Sequence, residues 1–220
     1  MSHYSTATEC TSGENGSTGF VVGAGSTIVR CIAQNNGVDG IWTGEATSVL
    51  ECTSTGHPGH GIRTGVSAVV SRCFADSNNL GIRVGLGSSV QICQVWNNAT
   101  DGIRHDGGGT VQGCSATDNG EDGIEIASDT QAVANTSTHN GRTVPGAGVH
   151  ATGGGNRIEG NSVSVTSRGI DVDSAGNLII HNTARGNSTN FDIVVGNLVG
   201  PILTSSTIAG SSNPHANYAY

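Results

Sequence analysis

Nine positions, each one residue after a recurring apolar site, carry Val21, Trp42, Arg63, Arg83, Arg104, Glu125, His150, Asp171 and Asp192. Their order is chemical: three arginines come first, then acidic groups and a histidine. Guanidinium groups one strand apart repel by about 1 kcal/mol per pair in water, so a stack of them is easiest to understand with anions laid on it. Asp171 and Asp173, in "GIDVDS", fall on the same side of one strand about 6.8 Å apart, with Asp192 one repeat further on. Such spacing suits a carboxylate pair for glycoside hydrolysis, or a calcium ion, which takes several oxygen ligands. His150, between Glu125 and Asp171, would have its pKa raised by these carboxylates and serve as an acid or base. The catalytic candidates are therefore His150, Asp171, Asp173 and Asp192. The substrate-binding candidates are Trp42, Arg63, Arg83, Arg104 and Glu125, with Arg142 from the nearby "NGRTVPGAG". The competing reading is a solvated acidic face beside arginines neutralised by Asp106 and Glu45.

These positions depend on a repeat. Cys10, Cys31, Cys52, Cys73, Cys93 and Cys114 are separated by 21, 21, 21, 20 and 21 residues, and Asn135, Asn161 and Asn182 continue the series. In parallel run Phe20, Ile41, Ile62, Ile82, Ile103, Ile124, Val149, Ile170 and Phe191, the first eight preceded by glycine and the ninth by Asn190. A third column, Ile28, Val49, Val70, Val90, Val111, Ala132, Ile158 and Ile179, lies three residues before each Cys or Asn. A fourth is Asn15, Asn36, Asn78, Asn98, Asn119, Asn140 and Asn187, with His57 and Thr166 as exceptions. Self-similarity at such a period means a solenoid. No stretch keeps helical apolar spacing and leucine is scarce, so the elements are short β-branched strands punctuated by Gly and Asn turns. The step from Asn135 to Asn161 is 26, and four of the five extra residues fall between Asn140 and Gly148, a loop beside His150. Long loops on rigid scaffolds often carry function.

In such a stack the cysteines have parallel Cα–Cβ directions at about 4.8 Å, outside disulfide range, and a straight column cannot surround a tetrahedral metal. They read as buried thiols acting as small hydrophobes, with one or two bridges between neighbours as the alternative. The asparagines read as an amide ladder, His105 as a buried neutral histidine, and Arg30, Glu51 and Arg72 as a surface ionic column. "GHPGH" offers His57 and His60 to a metal, but His57 takes a ladder place. A net charge of −8, with nine basic residues and every one an arginine, excludes a basic nucleic-acid surface. No apolar run approaches the ~20 residues of a membrane span.

The columns, best seen in "GNRIEGNSVSVTSRGIDVDSAGNLIIHNTARGN", resemble the right-handed parallel β-helix repeat proteins, an architecture shared by pectate lyases and many bacterial surface proteins. The resemblance covers roughly residues 8 to 200. It implies an all-β fold, a single-stranded right-handed parallel β-helix of about nine coils of ~21 residues with an inward Cys/Asn ladder. Residues 1–200 would form the coils and 201–220 a capping segment that brings Ile202, Leu203, Ile208, Tyr218 and Tyr220 across the end. The resemblance also implies that sugars lie along the first strand of each coil. The expected role is an extracellular or cell-surface protein, structural or carbohydrate-binding, toward acidic polysaccharide. The alternative is a polysaccharide lyase or glycoside hydrolase on an acidic glycan, although the paired-Asp and GHG motifs of polygalacturonases and the lysine of some lyases are missing. A minor alternative is an ice-binding solenoid, from the "TST" and "SVS" arrays, interrupted by Phe74, Asp76 and Trp96. No cofactor is expected other than calcium at Asp171, Asp173 and Asp192. The polar start of the chain leaves the edge of residues 1–20 uncovered, and end-to-end self-association or an upstream domain would cover it.

Overall fold

The computed structural model describes residues 4–220; residues 1–3, part of the edge expected to be open, lie outside the described residues. The chain winds through three parallel sheets of nine, ten and eleven strands, and up to the C-terminal segment neighbouring strands in each are successive coils. One coil contributes, in order, a strand of the isoleucine face, one of the valine face and one of a third face. Ile82–Val84, within Leu80–Val84, is followed in this way by Ser89–Gln91 and Gln94–Trp96. The only helical turn among the described residues is the 3₁₀ turn Ile208–Gly210.

The register is the one the columns demand. Ile62, Ile82, Ile103 and Ile124 are paired strand to strand, as are Val70, Val90 and Val111. Alternate residues of a strand face opposite sides, so the paired apolar residues stack inward as a continuous core. Ile28, Ile41, Val49, Ile62, Val70, Ile82, Ile103 and Ile124 are fully buried. Three-residue strands can follow one another closely because each corner is turned by a left-handed residue. In one coil these are Ser67, Arg72 and Ser77, with φ of 56°, 54° and 56°. Left-handed backbone costs an ordinary residue about 1–2 kcal/mol, which is why Gly and Asn recur at corners although neither is required there.

Ladders of polar side chains bind coil to coil. Asn78, Asn98 and Asn119 each donate from Nδ2 to the Oδ1 of the next member, at 3.2, 2.9 and 2.8 Å, ending on Asn140. The same oxygens accept backbone N–H groups, as Asn98 does from Asn78 at 3.0 Å. His57 fits this ladder because its Nδ1 accepts the Asn36 N–H at 3.0 Å. The six cysteines are free thiols, Cys10 exposed at the end of the stack and the other five buried. Their sulfurs point at carbonyls two residues back, Cys52 at Leu50 O at 3.2 Å. Interaction with the neighbouring thiols and then burial hold Cys73 and Cys114 above the ordinary thiol value. His105 is 1% exposed. Its Nδ1 accepts the Gly107 N–H at 3.0 Å and its Nε2–H donates to Ser88 O at 2.9 Å, so it is a neutral core residue. Burial lowers its pKa. Of the expected surface ionic column Arg72–Glu51 forms, at 3.2 Å, while Arg30 pairs instead with Glu9 at 2.8 Å.

The C-terminal segment extends the third face. Ile202–Thr204 and Asn217–Ala219 are two further parallel strands of the third face, with the latter inserted against Thr183–Arg185. Asn217 brings the reason: its Oδ1 accepts from Asn182 Nδ2 at 3.1 Å, so it supplies the next rung of the ladder that began with the cysteines. Ile202, Ile208 and Tyr220 stay 42%, 49% and 65% exposed. The inserted loop of residues 141–146 folds along the corner, with Thr143 N–H on Gly120 O at 2.9 Å.

Candidate functional site

The outer positions of the isoleucine face form one line. Val21, Trp42, Arg63, Arg83, Arg104, Glu125, His150, Asp171 and Asp192 are paired in that order across nine strands. Arg63 is exposed and makes no ion pair within 4.0 Å among the described residues. Arg83 reaches Asp106 at 3.4 Å, and Arg104 reaches Glu125 at 3.2 Å. Trp42 is half-buried at the arginine end. Arg142 is not part of this line: its guanidinium bonds Asn97 Oδ1 at 2.8 Å on the adjoining corner.

At the other end the face gathers around His150. Its Nδ1 lies 2.7 Å from Asp122 Oδ2, and its Nε2 lies 3.1 Å from Asp173 Oδ2 and 3.8 Å from Asp171 Oδ2. Burial disfavours the imidazolium, but the hydrogen bond and charge of Asp122, the hydrogen bond of Asp173 and the charge of Asp171 outweigh it and raise the pKa to about 9. His150 is thus a cation at neutral pH, suited to donating a proton or holding an anion rather than abstracting a proton.

Asp171 corrects an expectation. It sits on the outward side of Arg168–Val172, yet it is only 2% exposed. The Arg168 guanidinium and the His150 ring lie over it, the former with Nε 3.0 Å from Oδ2. That approach lacks hydrogen-bond geometry, and both atoms are without hydrogen-bond partners. Burial raises the Asp171 pKa, opposed by His150 and Arg168. Asp173 is open to water, with its side chain 57% exposed. Asp192 is paired to Asp171 and exposed, and it belongs to neither group of convergent ligand atoms on this face. Those groups are Asp122–Glu125–His150 and His150–Asp171–Asp173.

A second line, unread in the sequence, supports the first. The residue before each column glycine is Thr18, Asp39, His60, Leu80, Asp101, Asp122, Ala147 and Arg168 in successive coils. The aspartates accept the N–H of the equivalent residue in the next coil: Asp39 from His60 at 2.7 Å, Asp101 from Asp122 at 3.1 Å and Asp122 from Ala147 at 2.6 Å. Burial and then the charge of Asp122 push the Asp101 pKa up to about 7. The signal was there, since "DG" precedes the column residue at 39, 101 and 122. His60 pairs with Asp39 at 3.0 Å, while His57 stays in the amide ladder, so the two do not form a metal pair.

Solved structures share this architecture. The A-module of mannuronan C-5 epimerase AlgE4 from Azotobacter vinelandii superimposes with a TM-score of 0.77 over 98% of this chain and 64% of that one, at 19% identity. The A-module of AlgE6 from the same organism gives 0.71 over 90% and 59%, at 15% identity. Pectate lyase Pel9A gives 0.65 over 98% and 70%, at 16% identity. The chain therefore spans less than two thirds of either epimerase module, and at these identities the likeness is one of fold. No curated protein matches the sequence. Residues 20–163 match the model of the right handed beta helix region, and with nine in-register strands on one face, the chain belongs to that family.

Proposed function

We propose that this is an extracellular or cell-surface β-helix that binds an acidic polysaccharide along its isoleucine face, with the arginine line as the track for carboxylates. The observation that carries the reading is the register of Arg63, Arg83 and Arg104 on three successive coils, with Arg63 free of any ion pair among the described residues. Each exposed guanidinium–carboxylate contact contributes only about 0.2–1 kcal/mol, so binding must add several sites along a polymer. Proteins of the same fold named for mannuronan and for pectate support an acidic glycan as the partner. The test is electrophoresis through gels containing alginate, polygalacturonate or a neutral glucan. Retardation by an acidic polymer, relieved by salt and reduced in Arg63→Ala/Arg83→Ala, is the expected result. Equal mobility in all gels would remove the reading.

A second reading, a polysaccharide lyase or glycoside hydrolase, is favoured by the convergence of Asp122, Asp171 and Asp173 on His150. Here the His150 cation would donate a proton or hold a sugar carboxylate beside the aspartates. It predicts new reducing ends on the retarding polymer, lost in His150→Gln; a polymer that is bound but never shortened between pH 5 and 9 would leave binding alone.

A further inference from the structure

The polymer reading leaves unexplained a buried oxygen at the acidic end of the face. Asp171 Oδ2 is inaccessible, has no hydrogen-bond partner and lies 3.8 Å from His150 Nε2, while Asp173 Oδ2 lies 3.1 Å from the same nitrogen. A buried carboxylate oxygen that accepts no hydrogen bond is costly even beside a counter-charge. Arg168 Nε is 3.0 Å away but misdirected, so it supplies charge without a hydrogen bond.

We propose that His150 Nε2, Asp171 Oδ2 and Asp173 Oδ2 bind one divalent first-row transition-metal ion of the zinc or manganese kind, which displaces the Nε2 proton to solvent on binding, with Asp122 orienting the imidazole. Ligands about 2.0–2.2 Å from a tetrahedral ion lie roughly 3.3 Å from one another, and separations of 3.1 and 3.8 Å bracket that value. The opposite ring nitrogen is already fixed, because Asp122 Oδ2 holds Nδ1 at 2.7 Å and Asp122 Oδ1 is itself held by Ala147 N–H at 2.6 Å. A ligating histidine whose other N–H meets a carboxylate is the arrangement that sets its tautomer and strengthens its donor nitrogen. The neighbouring group, Asp122–Glu125–His150, is the weaker candidate: both Asp122 oxygens are engaged, and Glu125 faces Arg104 at 3.2 Å. Calcium fits less well, since it prefers oxygen ligands alone and imidazole favours the transition metals. The exposed side of Asp173 leaves the remaining position open to water or a sugar oxygen.

The readout is metal occupancy, so it stands apart from glycan binding. Chelator-treated protein, in a Cys10→Ser background to remove the exposed thiol, is titrated with zinc, manganese and calcium chlorides by calorimetry. One equivalent of zinc or manganese is expected, held more tightly than calcium. His150→Gln should abolish it, Asp173→Asn, at an exposed site, should weaken it at least tenfold, about 10-fold or more for loss of such a group, and Asp122→Asn should weaken it roughly 10–100-fold. His60→Gln is the control and should bind as the parent does. Binding unaffected by Asp173→Asn and His150→Gln, calcium binding tighter than zinc, or no transition-metal binding by the folded parent would each overturn the site.

Discussion

Gly102 has no room for a methyl group: a Cβ there would lie 2.6 Å from Gly123 O, 2.7 Å from Val95 Cγ2 and 2.8 Å from Asn119 Nδ2. The column glycines let one coil pass over the amide ladder and the next carbonyl. Where no further coil follows, Asn190 replaces glycine, and its Oδ1 accepts from Asn187 Nδ2 at 3.0 Å, standing in for the missing rung. Gly102→Ala should therefore cost about 1–3 kcal/mol, as overpacking does, whereas Gly16→Ala, with nothing within 4 Å, should leave urea unfolding unchanged. The aspartates separate by the same reasoning. Asp173→Ala should shift stability by less than about 0.5 kcal/mol. Asp171→Ala should cost about 1–3 kcal/mol, because it strips the buried partner of a half-exposed Arg168. Equal unfolding midpoints for the two variants would show that burial of Asp171 contributes nothing.

Within the strands of the isoleucine face, pairing was legible to the residue, because a period of 21 and an alternation of two leave one register. The same count placed Arg63, Arg83, Arg104, Glu125, His150, Asp171 and Asp192 in line. Depth was not legible. An outward place on a strand does not reveal that Arg168, three residues earlier, folds back over Asp171, nor that Asp122 in the preceding coil reaches His150. These are contacts between lines, and their geometry depends on side-chain direction. His150 ties three such strands together, with a consequence for pH. Its pKa is about 9 when folded against about 6.5 when unfolded. The folded state binds the proton more tightly, so the contribution is full below 6.5 and is lost as pH rises through 9. The melting temperature should fall between pH 7 and 10, and His150→Gln should flatten that limb.

Across the whole rod, protection is set by position in the stack rather than by residue type. Five of the six thiols are buried and Cys10 is exposed. Native protein should label rapidly at one thiol and slowly at five, and unfolded protein at all six without reductant; a slow Cys10 would mean that another chain or domain covers the first coil. The coil itself is an interchangeable unit. Residues 52–72 begin at one cysteine and end just before the next, so their excision joins Glu51 to Cys73 in the same phase. Such a deletion should still fold and should move Trp42 about 4.8 Å nearer His150. The molecule thus works as a gauge block: the interval between two chemical groups on its face changes only in whole increments, and insertion or loss of a coil is the means by which a lineage could match that interval to the spacing of a ligand.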